Sequence, residues 1–301
     1  MFCDPVTGVC EIPGISAAAT PVTNGLLSAD KPLKLVYFTD PICSTCWGIE
    51  PQWRRLKLEY GHVLDITYHM GGLLPSWDIY NSGGISGPSD VAHHWDEVSR
   101  HYQMPIDGNV WLEDPLPSSY PPSIWFKAAQ QQDNHKAVIF LRRMRELLFM
   151  EKQNICKPEP VLKSAAFAGL DLLQLQADFD GEAAALFEAD LALGKQLGVR
   201  GFPSIFFIDN SGRSELVYGA KPYTVFTTAL HKLLPDAVAR TYATGFELFS
   251  YFPTLTTKEF AVLNDIPFEA AHAMLHGYLE ENKVMVNSIA SGKLWTLTAG
   301  L

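Results

Sequence analysis

The chain has 301 residues, 47% of them hydrophobic and 19% charged, with 33 acidic against 23 basic side chains and a net charge of −10. That length is enough to bury a full core and to build more than one domain. The acidic balance argues against general binding to nucleic acid or to an anionic membrane, and no apolar run approaches the ~20 residues of a membrane span.

Residues 1–32 are rich in Pro, Gly, Ala, Thr and Ser and lack periodicity, which predicts an arm rather than a domain. The start, Met1-Phe2-Cys3-Asp4-Pro5, has neither the basic nor the apolar stretch of a signal peptide, and the expected location is the cytoplasm. Cys3 and Cys10 flank Asp4-Pro5-Val6-Thr7-Gly8-Val9, a segment with turn chemistry. Two bonded thiols acting as an accessory redox pair and two free thiols are both compatible with that spacing. A metal site there lacks a histidine.

Leu33-Lys34-Leu35-Val36-Tyr37-Phe38-Thr39 reads as a buried strand. Asp40-Pro41-Ile42-Cys43-Ser44-Thr45-Cys46-Trp47 follows, and then a helix to about residue 60, with Trp53, Leu56 and Tyr60 at helical spacing. Two cysteines three residues apart at a helix N-terminus are set for thiol–disulfide chemistry. Unpaired N–H groups and the helix dipole stabilise a thiolate there, and the second thiol, one turn on, can close a disulfide on the first. Half a zinc site or two inert thiols are the other readings. No second C-x-x-C is present to complete the first of these, so no metal and no other cofactor is expected.

Val63 to Met70 reads as a second strand, ended by Gly71-Gly72, and Pro75 to Pro88 as a loop. From about 90 to 197 the pattern is helical. Its clearest segments are Ile124–Gln131, Lys136–Phe149, Pro160–Ala168, Asp171–Asp178 and Gly181–Leu197. Trp77, Trp95, Trp111 and Trp125 are read chiefly as core, adjacent His93 and His94 as surface residues, and Cys156 as a packed thiol. Strand character returns at Gly198–Ile208, followed by a turn at Asp209-Asn210-Ser211-Gly212, a strand Ser214–Tyr218 and a helix Pro222–Leu234. Pro203 opens that first strand, where proline cannot donate to the ladder, and a cis bond after Phe202 is expected.

The expected layout is an α/β thioredoxin-like fold, with parts at 33–74 and 198–236, a helical insertion at 75–197, and a small C-terminal module at 241–301. In that module Thr256–Asn264 and Pro267–Asn282 read as helices and Val284–Val286 with Leu294–Leu297 as a hairpin, a winged-helix-like order. Its three Lys against six Asp and Glu favour a protein contact over DNA.

Phe38-Thr39-Asp40-Pro41-Ile42-Cys43-Ser44-Thr45-Cys46-Trp47-Gly48-Ile49-Glu50-Pro51 resembles the active-site stretch of the DsbA/FrnE-like thiol–disulfide oxidoreductases. The overall layout is most similar to the SpxH (YjbH) branch. Asp107-Gly108-Asn109-Val110-Trp111, Phe126-Lys127-Ala128-Ala129, Leu141 to Phe149 with Asn154-Ile155, and the stretch from Thr257-Lys258-Glu259 to Gly292-Lys293-Leu294-Trp295 carry that likeness. The resemblance implies a thioredoxin fold with a helical insertion, and two kinds of work. One is disulfide exchange with client proteins, restored by a cellular thiol reductant. The other is an adaptor role that hands a regulator to a ClpXP-type protease. It implies Cys43 as the attacking, more exposed thiol with a moderately lowered pKa, and Cys46 as the resolving thiol. Pro203 would stand opposite the pair, with Trp47 and Phe202 beside the client. Thioredoxins often carry a buried Asp six positions before the first cysteine. Here that residue is Tyr37.

Overall fold

A computed structural model describes residues 31–80 and 85–298, together with the backbone of residues 3–4 and 9–11. The arm contributes two short strands, β1 (Cys3–Asp4) and β2 (Val9–Glu11). These were not expected from the sequence, because two- and three-residue segments carry no periodicity to detect. Whether Cys3 and Cys10 are joined lies outside the described residues.

β3 (Leu33–Thr39) is buried along nearly its whole length, as its apolar and β-branched composition requires of a central strand. The helix expected after it is two helices, α1 (Ser44–Gly48) and α2 (Glu50–Tyr60). Pro51 explains the break. It has no N–H to give to the carbonyl of Trp47, and its ring crowds that carbonyl. The helix therefore restarts at Ile49, with proline in the first turn of α2. β4 (Leu64–Met70) pairs parallel with β3, Leu33 opposite Leu64 and Thr39 opposite Met70.

The helical insertion contains α3 (Pro88–Tyr102), α4 (Val110–Glu113), α5 (Tyr120–Gln132), α6 (Asn134–Glu151), α7 (Pro158–Ala168), α8 (Leu172–Asp180) and α9 (Ala183–Gln196). Then come β5 (Gly201–Phe202), β6 (Ser204–Asp209), β7 (Ser214–Tyr218) and α10 (Tyr223–Leu233). The main sheet has the order β4-β3-β6-β7, with β6 antiparallel to both neighbours. One apolar core runs from this sheet into the insertion and includes Trp47, Trp53, Trp95, Trp111, Phe126 and Phe149. His93 is on the surface. His94 is buried, a correction to the sequence reading, because it faces the core side of α3 with Val91, Trp95 and Val98.

After residue 240 come α11 (Leu248–Tyr251), β8 (Thr254–Thr256), α12 (Thr257–Asn264), α13 (Phe268–Glu280), β9 (Val284–Ile289) and β10 (Gly292–Leu297). Thr256 caps α12 in a capping box with Glu259, and β10 lies between β8 and β9. A second apolar cluster, including Phe249, Leu255, Phe260, Leu275 and Trp295, holds these elements together.

Candidate functional site

Cys43 sits at the N-cap of α1, where its sulfur accepts a hydrogen bond from the Cys46 N–H at 3.1 Å. The two thiols are near enough for each to shift the other's pKa. The Phe202–Pro203 peptide bond is cis. β6 continues from it, with Ser204 paired to Phe38 at the carboxyl end of β3. The strand–turn–helix and the strand entry at Pro203 are thus brought to one end of the sheet.

Four expectations change in three dimensions. Cys43 is fully buried rather than exposed. Burial pushes its thiol well above the ordinary value, and the bond to Cys46 and the charge on Cys46 add to that rise. The expected lowering falls instead on Cys46. Burial pushes that thiol up as well, but the Cys43 hydrogen bond, the Arg145 charge and Thr39 outweigh it, and the net shift is downward. Trp47 is not open to the surface. It is enclosed, with its indole N–H donating to the Pro105 carbonyl at 3.0 Å, its ring stacked on Phe149, and the Arg142 guanidinium 4.3 Å from the ring centre. The Phe202 side chain is also enclosed, because it fills the space over Gly71, where a Cβ would lie 1.7 Å from the ring.

Arg145 is the residue that sequence reasoning missed. It projects from α6 to the underside of the cysteine turn and is 1% exposed. Its guanidinium donates to Thr39 Oγ1 at 2.6 Å, to the Asp40 carbonyl at 3.0 Å and to Glu50 Oε1 at 3.2 Å. Tyr37, at the position of the thioredoxin aspartate, is fully buried and brings no carboxylate. The cation beneath the turn supplies the electrostatic assistance instead. The sequence did carry a trace of it: Arg145 lies four residues from both Leu141 and Phe149, on the buried face of an apolar helix.

Asp40 is fully buried and accepts from the Ile42 N–H, the Leu73 N–H and the Ser119 hydroxyl at 2.7–3.1 Å. Burial raises its pKa to about 6 against the pull of those bonds. Cys156 is half-buried, 3.1 Å from the Ser118 carbonyl, and burial pushes its thiol up to about 12, as befits a packed residue. Among the described residues no cluster of three or more His, Cys, Asp or Glu is set to hold a metal ion.

Behind the site, buried charges tie the layers together. Arg142 forks onto Glu259 at 2.6 and 3.0 Å and bonds Glu146 at 2.7 Å. Arg54 lies 3.2 Å from Glu259 and donates to the Thr254 carbonyl at 2.7 Å. The Thr254 hydroxyl completes the set on Glu146. Through Glu50 and Arg145 this network reaches the cysteine turn.

Residues 37–228 match a family model described as Thioredoxin. The ClpXP adapter protein SpxH of Halalkalibacterium halodurans is 33% identical over 271 residues, 88% of this chain and 89% of that protein. SpxH of Shouchella clausii is 32% identical over 298 residues, 97% of this chain and 95% of that protein. Among solved structures, the cytosolic disulfide reductase DsbM from Pseudomonas aeruginosa superposes with a TM-score of 0.53 at 23% identity, over 66% of this chain and 99% of its own. That last likeness speaks to the fold, thioredoxin-like with a helical insertion. The first two extend past the matched thioredoxin region into the C-terminal elements, and the chain therefore belongs to the SpxH family.

Proposed function

We propose that the protein is a protease adaptor: it holds a regulator protein for a ClpXP-type protease, with the Cys43/Cys46 turn as a redox-sensitive contact rather than a high-turnover centre. The observation that carries this is the end-to-end likeness to SpxH proteins, which covers 97% of the chain in one relative, C-terminal elements included. Two features support it. Cys43 is buried, which suits slow thiol chemistry better than rapid exchange. The elements after residue 240 are anchored to α2 and α6 by buried ion pairs, as a scaffold that presents two partners in fixed relation requires. The reading places the protein in the cytoplasm and divides the chain as the sequence suggested, with the 241–301 module for protein contact.

Disulfide exchange with client proteins is the second reading, favoured by the Cys43–Cys46 turn with Pro203 near it. There Cys43 or Cys46 would attack and the other resolve, with a cellular thiol as reductant. The test is a comparison of protein half-lives in cells with and without the chain, with the Cys43→Ser/Cys46→Ser double variant as a third arm. A defined set of proteins should live longer without the chain, and the double variant should restore their rapid loss.

A further inference from the structure

The described strands of the N-terminal arm pair with the fold. β2 runs antiparallel to β5, with Cys10 opposite Phe202 and Glu11 opposite Gly201. β1 pairs on its outer side, Cys3 opposite Cys10 and Asp4 opposite Val9. β2 is therefore the middle of a three-stranded sheet, and it packs against α1, the helix that Cys43 caps. Without the arm, β5 would present unpaired ladder groups next to the cysteine turn, and open edges bind whatever extended chain reaches them. Recognition by strand addition uses those backbone groups for affinity, with side chains at alternate positions adding selection. Cys43 stands at the start of a helix, a place that usually leaves a thiol accessible, yet it is fully buried here.

We propose that β2 is a built-in occupant of the client-strand position: it holds the edge of β5, sets Cys10 at the register point where an extended peptide would bring its own cysteine to Cys43, and must leave before such a peptide can pair. The inference rests on the reading of the cysteine turn as a client contact and adds to it a partner class, an extended cysteine-bearing segment, and a means of regulation. It also implies an internal exchange. When Cys43 and Cys46 are joined, the Cys10 thiolate attacks the Cys43 sulfur. The Cys10–Cys43 bond forms, the Cys43–Cys46 bond breaks, and Cys46 leaves as a thiolate that takes up the proton Cys10 released. One thiol and one disulfide stand on each side, so there is no net oxidation.

The test uses the full chain and a chain lacking residues 1–11, both carrying Cys46→Ser and Cys156→Ser. Alkylation of Cys43 by iodoacetamide, followed by peptide mass spectrometry, should be about ten-fold or more faster without the arm, because access then no longer waits on local opening. A synthetic peptide of residues 1–12 with serine for both cysteines should slow it again. Equal rates in the two chains would overturn the proposal. So would a full-length Cys3→Ser/Cys10→Ser chain that reacts as fast as the truncated one, because protection would then come from the thiols and not from the strand. If the truncated chain fails to fold, the full-length Cys46→Ser chain still decides. Treated with oxidised glutathione, it should yield a Cys10–Cys43 link, two protein thiols giving one disulfide while one glutathione disulfide becomes two thiols. A dominant Cys3–Cys43 link, or none, would refute the register. Neither readout depends on any protease, so the arm proposal and the adaptor reading can fail separately.

Discussion

Arg145 acts on this cysteine turn through its charge, and does not take the proton-acceptor part that a buried carboxylate plays in thioredoxin. A cation near a thiol favours the thiolate, and the thiol whose net shift is downward is Cys46. Replacing Arg145 by Gln should therefore raise the Cys46 pKa, read as ultraviolet thiolate absorbance against pH in a Cys43→Ser background. A merely structural role would lower the melting temperature and leave that titration where it was. Asp40 makes a second prediction, of unusual sign. Its folded pKa is raised from 3.8 to about 6, so the folded state keeps the proton to higher pH than the unfolded chain does. The contribution to stability is fully present below about pH 4 and is lost as pH rises through about 6, a change of about 3 kcal/mol from this group alone at 1.36 kcal/mol per unit. Urea unfolding between those pH values should show the decline, and Asp40→Asn should flatten it.

At the scale of elements, the joint between α2, α6 and α12 is where the C-terminal part meets the thioredoxin-like part. Glu259 is fully buried and serves both Arg142 and Arg54 while closing the capping box on Thr256. Removing one partner of a buried ion set leaves uncompensated charge, so Glu259→Ala should cost about 3–5 kcal/mol in urea unfolding. A loss well under 1 kcal/mol would mean the joint is solvated. Elements of this kind divide what could be read in advance. Local signals were legible: Thr256 as a cap, the turn at Asp209–Gly212, the strand Ser214–Tyr218 at its observed limits, and most of the insertion helices within a few residues. The Pro51 break was written in the sequence as well, but the apolar spacing on both sides masked it. What could not be read were contacts set by tertiary structure. Arg145 beneath the cysteines, Trp47 and Phe202 turned inward, and β2 lying on β5 all join segments about 100 to 200 residues apart, and no local pattern encodes such pairings.

At the scale of the whole molecule, the thioredoxin-like part and the C-terminal elements each have an apolar cluster, and the two are joined by apolar contacts at Leu294 and Leu58 and by buried ion pairs. The family-model match ends at residue 228, whereas the likeness to SpxH continues beyond it. The central claim is that the chain acts by holding partners, with the cysteines modulating that hold. The measurement that tests it most directly is the half-life of each cellular protein after translation is stopped, in cells with the wild-type chain, without it, and with the Cys43→Ser/Cys46→Ser form. The account predicts a small set of proteins stabilised by loss of the chain and destabilised again by either form. Half-lives that do not change when the chain is removed, or that only the form with both cysteines restores, would contradict it.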